Sequence, residues 1–367
     1  MICKICLADD PKYFVGTICR RCIHLHYGVI DKDHDYLIGD KSEYRLSFEM
    51  NKYQIDIAHK IVKYIEKQDV FLEAVCGAGK TEMCYELLKD TVEKKKRIAW
   101  AIPRRQVVLE LKERIQSNFR DLKVVAVCEG FTDDVYGDIV ICTTHQLYRY
   151  HQYFDVLIVD EPDAFPFNND PLLLGLMKSS VKGNVLFMSA TKDDALISKL
   201  NNPKHLIMPL RPNLKPLPIP ELKRSYLSIF HEYAKISQEK LLIFVPTIQL
   251  ARKLSQYLRI PCVTSKSEDK ESLIESFHKK TKGILITTTI LERGVTFKDC
   301  YVWVFEAHHP IFDVSSLTQI CGRVLRGSST KGACIFFSTQ KCKEVERCIE
   351  NLKQTNILAQ SVLNPKI

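Results

Sequence analysis

Short apolar runs alternate with amphipathic stretches along most of the chain. Six apolar runs in the first half predict buried strands: 69–75, 97–102, 123–127, 138–144, 156–160 and 184–190. Between them, residues 81–95 and 104–119 carry helical apolar spacing. Because strands alternating with helices form a parallel sheet covered on both faces, the pattern predicts an α/β domain over residues 46–205.

The same rhythm restarts after a proline-rich stretch. Residues 209–221 contain five prolines, which forbid helix and favour an extended linker, placed at 206–222. Apolar runs then follow at 240–247, 283–289, 301–307 and 332–338, with helical stretches at 248–258, 270–280 and 343–358. A second α/β domain is therefore predicted over 223–367. The halves match in rhythm but not in sequence.

Composition narrows the class of protein. Apolar residues make up 46% of the chain, enough for a buried core. No apolar run approaches the ~18 residues of a membrane span, and the first residues carry no apolar signal core, so we expect a cytoplasmic protein. The net charge of +9 favours a polyanionic partner.

Four of the fourteen cysteines form one patterned cluster. Cys3 and Cys6 make one CxxC turn, and Cys19 and Cys22 make a second. Two such turns can complete a tetrahedral four-sulfur site for Zn²⁺, with His24 and His26 as less expected substitutes. The cluster predicts a zinc-binding module and connector over residues 1–45. Since it lies outside the strand–helix rhythm, we expect the first sheet to form without it.

The sharpest signal lies between a predicted strand and a predicted helix, at residues 74–82. Gly77 and Gly79 allow backbone N–H groups to approach phosphate closely, and Lys80 can reach the β and γ phosphates of a nucleotide. The Thr81 hydroxyl can ligate Mg²⁺. The expected ATP contacts are Cys76, Gly77, Ala78, Gly79, Lys80, Thr81 and Glu82.

An acidic strand end supplies the partner that a nucleotide loop needs. The apolar run 156–160 ends in Asp160, which can hold Mg²⁺, and Glu161, which can polarise an attacking water. A strand followed by an acidic turn is common by itself. Here it follows Lys80 by eighty residues, which favours the catalytic interpretation.

A third motif lies near the C-terminus. Residues 319–327 place Arg323 and Arg326 three apart, predicting one helical face that carries both, with Gln319 a further catalytic candidate. If that face borders a nucleotide, both guanidiniums can act as arginine fingers. The alternative is a solvated basic helix face. Residues 189–191 and 287–297 are each weak signals alone. The specific feature is the order in which all of these motifs follow one another along the chain.

The order of these motifs resembles the order in superfamily 2 helicases. Within them, residues 160–167, the proline-rich linker and the four-cysteine module are similar to the ComFA family of late competence proteins. The resemblance implies two RecA-like domains and a cytosolic ATPase that draws single-stranded DNA through the transformation channel. The family usually has valine where this chain has Pro162. Because that position follows the strand, we expect activity to survive.

The resemblance also implies further site residues. Gln54 would read adenine, although an amphipathic helix also accommodates a glutamine there, and Gly294 with both arginines would contact the nucleotide. Sequence-independent phosphate contacts to DNA would come from a set of six residues, for each of which a structural role is an equal interpretation. These candidates are Arg104, Arg105, Thr143, Thr144, Thr247 and Thr288.

The sequence therefore predicts an ATP-dependent single-stranded DNA translocase for DNA uptake, using ATP, Mg²⁺ and Zn²⁺. By resemblance its partners are a ComFC-like protein, the uptake channel, a recombination mediator and a second copy of itself. It would reach the inner face of the membrane through partners, without inserting. The alternatives are a duplex-unwinding helicase of the replication-restart kind and a zinc-bearing nucleic-acid adaptor with weak ATPase. Retention of Lys80, Asp160 and Glu161 argues against the adaptor.

Overall fold

The computed structural model describes residues 1–25, 28–30, 42–167, 170–236, 238–291, 297–325, 327 and 329–364. The chain divides into two compact units. The first comprises Met1–Ala74 and Gly79–Met208, and the second comprises Val75–Ala78 and Pro209–Ile367.

The first unit is built on a parallel sheet. The strands of the unit are β1 (Phe14–Val15) and β2 (Ile18–Cys19), which lie outside that sheet, and β3 (Val70–Ala74), β4 (Ile98–Ile102), β5 (Val124–Val127), β6 (Ile139–Thr143), β7 (Phe154–Asp160), β8 (Val181–Ser189) and β9 (Lys204–Met208), which form it. Its helices are α1 (Lys52–Ile65), α2 (Lys80–Met83), α3 (Tyr85–Glu93), α4 (Arg105–Asn118), α5 (Pro171–Ser180) and α6 (Asp194–Ile197).

Among the described residues, seven strands of this unit pair in the order β5–β6–β4–β7–β8–β3–β9, each pair parallel. Every residue of β4 and β6 is buried, as expected for strands covered by helices on both faces. This confirms the α/β fold predicted from the apolar runs. The antiparallel ribbon β1–β2 lies apart, within the cysteine module.

The cysteine module packs against α5 of the first unit. A Cβ at Gly175 would collide with the Cys6 carbonyl oxygen, so a glycine is needed for this close approach. The Ser179 hydroxyl also donates to the Ile5 carbonyl oxygen, at 2.6 Å. The four cysteines belong to the same apolar cluster as Phe154 and Leu176. The module is therefore part of the core of this unit.

The second unit repeats the architecture. Its strands are β10 (Glu221–Lys223), β11 (Lys240–Phe244), β12 (Cys262–Val263), β13 (Gly283–Thr287), β14 (Cys300–Val304) and β15 (Cys334–Phe337). Its helices are α7 (Ile229–Ile236), α8 (Ile248–Leu258), α9 (Lys270–Lys279), α10 (Val314–Cys321) and α11 (Lys343–Leu363). In the part that the structure describes, six strands pair in parallel, in the order β10–β15–β14–β11–β13–β12.

The proline-rich segment has no helix, as predicted, but it packs more closely than an extended linker would. Leu210 and Leu217 are buried. The backbone N–H of Leu217 donates to Asn356 Oδ1 of α11 at 2.7 Å, and Asn356 Nδ2 donates back to the Leu217 carbonyl oxygen at 2.9 Å. Strands β9 and β10 also overlap the two ends of the range 206–222, so the segment without strand is shorter than predicted.

Two helices of the structure also differ from the predicted bounds. The stretch predicted as one helix at 81–95 is divided into α2 and α3 at Cys84. The closing helix α11 runs five residues past the predicted 358, to Leu363. Among the described residues, no helix is both long enough and apolar enough to cross a bilayer.

Candidate functional site

The predicted phosphate loop joins β3 to α2. Gly77 and Gly79 have φ of +81° and +82°, a left-handed conformation that glycine adopts without a Cβ penalty. The loop then turns directly into helix, since the Met83 N–H donates to the Gly79 carbonyl oxygen at 3.1 Å. Cys76 and Ala78 are buried. The loop thus has the backbone form that a phosphate cradle requires.

Gln54 of α1 lies against this loop and is fully buried. Its Oε1 accepts from the Asn51 N–H at 3.0 Å, completing a capping box at the start of α1. A Cβ at Gly79 would lie 2.5 Å from Gln54 Nε2. The side chain therefore supports both the helix start and the loop.

Lys80 and Asp160 meet at the site. Lys80 Nζ lies 3.3 Å from Asp160 Oδ1, and the two side chains are only 15% and 17% exposed. Lys80 begins α2 and Asp160 ends β7, so a helix start and a strand end deliver opposite charges to one point. The residues fit a nucleotide with Mg²⁺: Lys80 can bind phosphate oxygens, while Asp160 and the Thr81 hydroxyl can hold the metal.

Glu161 follows the strand in a strained backbone conformation, with φ of +53°. Its N–H donates to the Met188 carbonyl oxygen of β8, and its carbonyl accepts from the Ala164 N–H, both at 2.9 Å. A left-handed non-glycine residue costs about 1–3 kcal/mol and is held only where its surroundings enforce it. Since β7 ends at Asp160, Pro162 lies outside the strand, as expected.

Asp163 is a site residue that the sequence reasoning missed. It is buried, and its Oδ1 accepts from the Ser189 hydroxyl at 3.0 Å. The Thr191 N–H in turn donates to the Ser189 hydroxyl oxygen at 3.1 Å. The ends of β7 and β8 are thus tied together beside Glu161. The available signal was the second aspartate of the DEPD sequence.

Glu82 has a different environment from the rest of the loop candidates. Its carboxylate is buried and forms an ion pair with Arg114 of α4. This contact links α2 to α4. This ion pair does not support the predicted contact between Glu82 and the nucleotide, which stays a prediction.

The prediction that Arg323 and Arg326 share a helical face is wrong. Helix α10 contains Gln319 but ends at Cys321, and Arg323 lies beyond it. The N–H groups of Arg323 and Val324 donate three residues back, at 3.2 and 3.0 Å, and Leu325 has φ of +55°. The chain therefore leaves the helix through a tight turn, and Arg323 is buried there. Arg326 lies outside the described residues, as does Gly294.

The six candidates for DNA contact differ in exposure. Thr143, Thr144 and Thr288 are buried. Arg104 is half-buried, whereas Arg105 and Thr247 are exposed. Arg105 Nε donates to the Glu129 carbonyl oxygen at 2.8 Å, and the Thr247 hydroxyl caps α8 by accepting from the Leu250 N–H at 3.1 Å. Exposure favours Arg105 and Thr247 as contacts for a strand.

The four cysteine sulfurs lie within 4.8 Å of one another, and all four residues are buried. Cys3 and Cys22 are 3.4 Å apart at Sγ, and Cys6 and Cys19 are 3.7 Å apart. A tetrahedron with Zn–S bonds of ~2.3 Å has sulfurs ~3.8 Å apart, so the arrangement fits Zn²⁺. Burial raises the pKa of Cys6 to about 11, so a cation is needed to hold it as thiolate. His24 is exposed, and His26 lies outside the described residues.

Comparisons with known proteins agree with this geometry. Residues 47–191 match the family described as "Type III restriction enzyme, res subunit", and residues 224–328 match "Helicase conserved C-terminal domain". Competence protein ComFA of Streptococcus pneumoniae is 35% identical, over 84% of this chain and 77% of its own length. Competence protein ComFA of Bacillus subtilis is 32% identical, over 98% of this chain and 86% of its own.

Solved structures show the same fold. Dbp5 of Saccharomyces cerevisiae bound to RNA and ADP BeF3 has a TM-score of 0.63 at 16% identity, covering 84% of this chain and 88% of that one. RecG bound to a three-way DNA junction has a TM-score of 0.60 at 19% identity, covering 88% of this chain and 47% of that one.

Two RecA-like parallel-sheet domains with a phosphate loop and a DExD strand end define a superfamily 2 helicase, an ATP-dependent DNA helicase or translocase that uses ATP and Mg²⁺. Within that class, the chain belongs to the ComFA family.

Proposed function

We propose that this protein is a translocase that moves along single-stranded DNA and drives DNA uptake during natural competence. The observation that carries the proposal is the ion pair between Lys80 and Asp160 at the end of a phosphate loop, in a chain related to proteins named for competence. The two side chains are partly exposed, so a nucleotide with its metal could separate them. Lys80 would then bind the phosphates and Asp160 the metal.

In this proposal the residues of the first unit bind and activate the nucleotide. Lys80 binds the phosphates, Thr81 and Asp160 hold Mg²⁺, and Gln54 reads adenine. Glu161 orients the attacking water, and its backbone strain supports that role because such strain concentrates at functional residues. Asp163 and Ser189 fix the direction of the turn that carries Glu161.

The second unit supplies Arg323 and Arg326 as arginine fingers, with Gln319 and Gly294 as further contacts at the nucleotide. An arginine finger stabilises charge that develops in the transition state, so it acts on turnover more than on ATP affinity. The burial of Arg323 supports this role, because a guanidinium shielded from water acts more strongly on a phosphate than one in solvent.

Binding of the strand would be independent of base sequence. We place Arg105 and Thr247 in direct phosphate contact because both are exposed, and Arg104, Thr143, Thr144 and Thr288 stay candidates for the same role. Affinity for single-stranded DNA should then fall steeply with salt and vary little between base sequences.

The cysteine module is proposed to bind Zn²⁺ as a structural site, closed by four thiolates. Its partners are proposed by family resemblance: a ComFC-like protein, the DNA-uptake channel, a recombination mediator and further copies of this chain. The protein would work in the cytoplasm and reach the inner face of the membrane through those partners.

The test measures ATP hydrolysis alone, with single-stranded DNA and with blunt duplex of the same length. A translocase of single strands should be stimulated by the single strand far more than by the duplex. Equal stimulation by duplex, with strand separation, would favour the replication-restart type. Nucleic-acid binding with no stimulated hydrolysis would favour the adaptor.

A further inference from the structure

The proline-rich segment contains a buried arginine outside every predicted motif. Arg211 lies between Pro209 and Pro212 and is 2% exposed. Proline fixes its own φ, and a residue that precedes proline is confined to extended backbone, so Arg211 has few directions available. Its carbonyl accepts from the Leu214 N–H at 2.9 Å. We call residues 211–214 the linker turn.

The Arg211 guanidinium donates to carbonyl oxygens of the chain that follows α10. Nη2 donates to Gly322 at 2.8 Å, and Nη1 donates to Val324 at 2.9 Å and Leu325 at 3.0 Å. Its Nε donates to the carbonyl oxygen of Cys76 in the phosphate loop at 3.1 Å, and Val75–Ala78 belong to the same unit as Arg211. A planar guanidinium can serve several acceptors at fixed angles, which a lysine ammonium cannot.

Asn213 adds a contact from the same turn. Its Nδ2 donates to the Gly327 carbonyl oxygen at 3.2 Å, and its Oδ1 accepts from the Lys215 N–H at 3.1 Å, which orients the amide. The carbonyls of 322 and 324 flank Arg323. The linker turn thus holds the main chain on both sides of Arg323. We call residues 322–325 and 327 the finger segment.

This contact also accounts for the end of α10. Carbonyls 322, 324 and 325 bond to a side chain more than a hundred residues away in sequence. The left-handed conformation of Leu325, with φ of +55°, is unfavourable for leucine and needs such support. Without Arg211, buried carbonyls would lose donors and the turn would be free to relax.

We propose that Arg211 is a positioning residue for the ATPase reaction: it fixes the finger segment so that Arg323 meets the transferred phosphoryl group. The proposal rests on the proposed role of Arg323 as a finger. It assigns the proline-rich segment a role in turnover beyond joining two domains. Since a misplacement of ~1 Å can cost about 100-fold in rate, the effect should appear in kcat.

The experiment compares Arg211→Lys with the wild type and with Arg224→Lys. The matched control makes the same change at a more exposed arginine of the same unit, which donates to the Gln340 carbonyl oxygen at 2.7 Å. We expect Arg211→Lys to lower DNA-stimulated kcat by about 10- to 100-fold and to raise KM for ATP by only a few-fold, because a single bond of Arg211 goes to the phosphate loop. Arg224→Lys should match the wild type in both.

A double variant shows whether Arg211 acts through Arg323. Arg323→Ala with Arg211→Lys should be no slower than Arg323→Ala alone, because a finger already removed cannot be misplaced further. Equal proportional losses in both backgrounds would overturn the proposal, as would wild-type kcat in Arg211→Lys when Arg323→Ala is slow. If Arg323→Ala keeps wild-type kcat, the proposed finger fails, whatever Arg211 does.

Folding is checked by melting temperature and ADP affinity. If Arg211→Lys does not fold, Arg211→Gln is the second variant, since its amide keeps a donor and lacks the charge. The same kcat, KM and double-variant criteria then apply to it. A loss of ADP affinity in step with kcat, in a protein that melts early, would reveal a purely structural arginine and contradict positioning.

Discussion

The phosphate loop and the finger segment are both short turns next to a helix, but they are held in different ways. The loop is held mainly by its own backbone, through Gly77 and Gly79 in left-handed conformations and the hydrogen bond that starts α2, with one further bond from Arg211 to the Cys76 carbonyl oxygen. The finger segment is fixed from a distance, by Arg211 and Asn213 of the linker turn. A change at Arg211 removes three bonds from the finger segment and one from the loop, so it should disturb the second site more than the first.

This difference has a functional consequence. In the proposed mechanism nucleotide binding depends on the loop, whose conformation is set mainly by its own backbone, so it should be less sensitive to changes elsewhere in the fold. In the same mechanism transition-state stabilisation depends on Arg323, whose neighbouring carbonyls bond to Arg211 of the proline-rich segment. Turnover is thus the property that changes in the proline-rich segment should affect most, and ATP affinity should change less.

The largest effect should come from removing a finger. Arg323→Ala should lower kcat by about 10³- to 10⁵-fold, with little change in ATP affinity, because the guanidinium acts on transition-state charge. Steady-state hydrolysis and equilibrium nucleotide binding measure the two quantities. Arg347→Ala, at an exposed position of α11, is the control. A parallel loss of affinity would place Arg323 in ground-state binding instead.

Changes in the phosphate loop and in the acidic strand end beside it should give two different phenotypes. Glu161→Gln should keep ATP bound and slow hydrolysis by about 10²- to 10⁴-fold, since only the group that orients water is lost. Lys80→Ala should weaken ATP binding itself. Glu113→Gln, which changes an exposed carboxylate of α4, should change neither quantity. Normal turnover in Glu161→Gln would remove it from the reaction.

A pair of glycine substitutions compares the two turns directly. Gly79→Ala meets both an unfavourable φ of +82° and Gln54 Nε2 at 2.5 Å, so ATP affinity should drop about tenfold or more. Gly327→Ala has a similar φ, +60°, but open space around the new Cβ, so only strain of about 1 kcal/mol is expected. Isothermal titration with ADP, which binds the same loop without being hydrolysed, compares the nucleotide affinity of the two variants. Equal losses of affinity would mean that strain alone, and not the packing of Gln54, sets the loop.

The smallest effect on the motor should come from the cysteine module. Cys19→Ser with Cys22→Ser should abolish zinc binding, while basal ATPase persists well below the melting temperature. Because the module packs on α5, the melting temperature of the first unit should fall as well. Metal content, melting temperature and ATPase rate are measured on one preparation.

The control for that variant is Cys128→Ser with Cys142→Ser, two buried thiols of the same unit outside the four-cysteine cluster. It should bind zinc normally. Loss of basal ATPase in the folded Cys19 and Cys22 variant, with activity retained in the control, would show that the module is integral to the motor.

The sequence predicted the parts of the molecule whose cause is local. Alternation of apolar runs and helical spacing located both sheets, and the spacing of glycine, lysine and threonine located the phosphate loop, because these patterns act within a few residues. The finger segment was mistaken for helix although Gly322, the C-cap of α10, directly precedes Arg323. The contact that the sequence could not show is the guanidinium of Arg211, which bonds to carbonyls 111 to 114 residues away.

The packing of the cysteine module was hidden for the same reason. Gly175 reads as an ordinary helix residue in sequence, yet it is the point where the Cys6 backbone approaches α5. Likewise, Asp163 is one more acid in an acidic turn until Ser189 is placed beside it. Contacts between distant segments decide such roles, and periodicity carries no information about them.

The central claim is that hydrolysis of ATP moves the protein along a single strand. The most direct measurement is displacement of streptavidin from a single-stranded oligonucleotide that carries biotin at one end. The wild-type protein should release streptavidin with ATP, with a preference for one end, and Glu161→Gln should bind the strand without releasing it. Full DNA-stimulated ATPase with no displacement from either end would contradict the account.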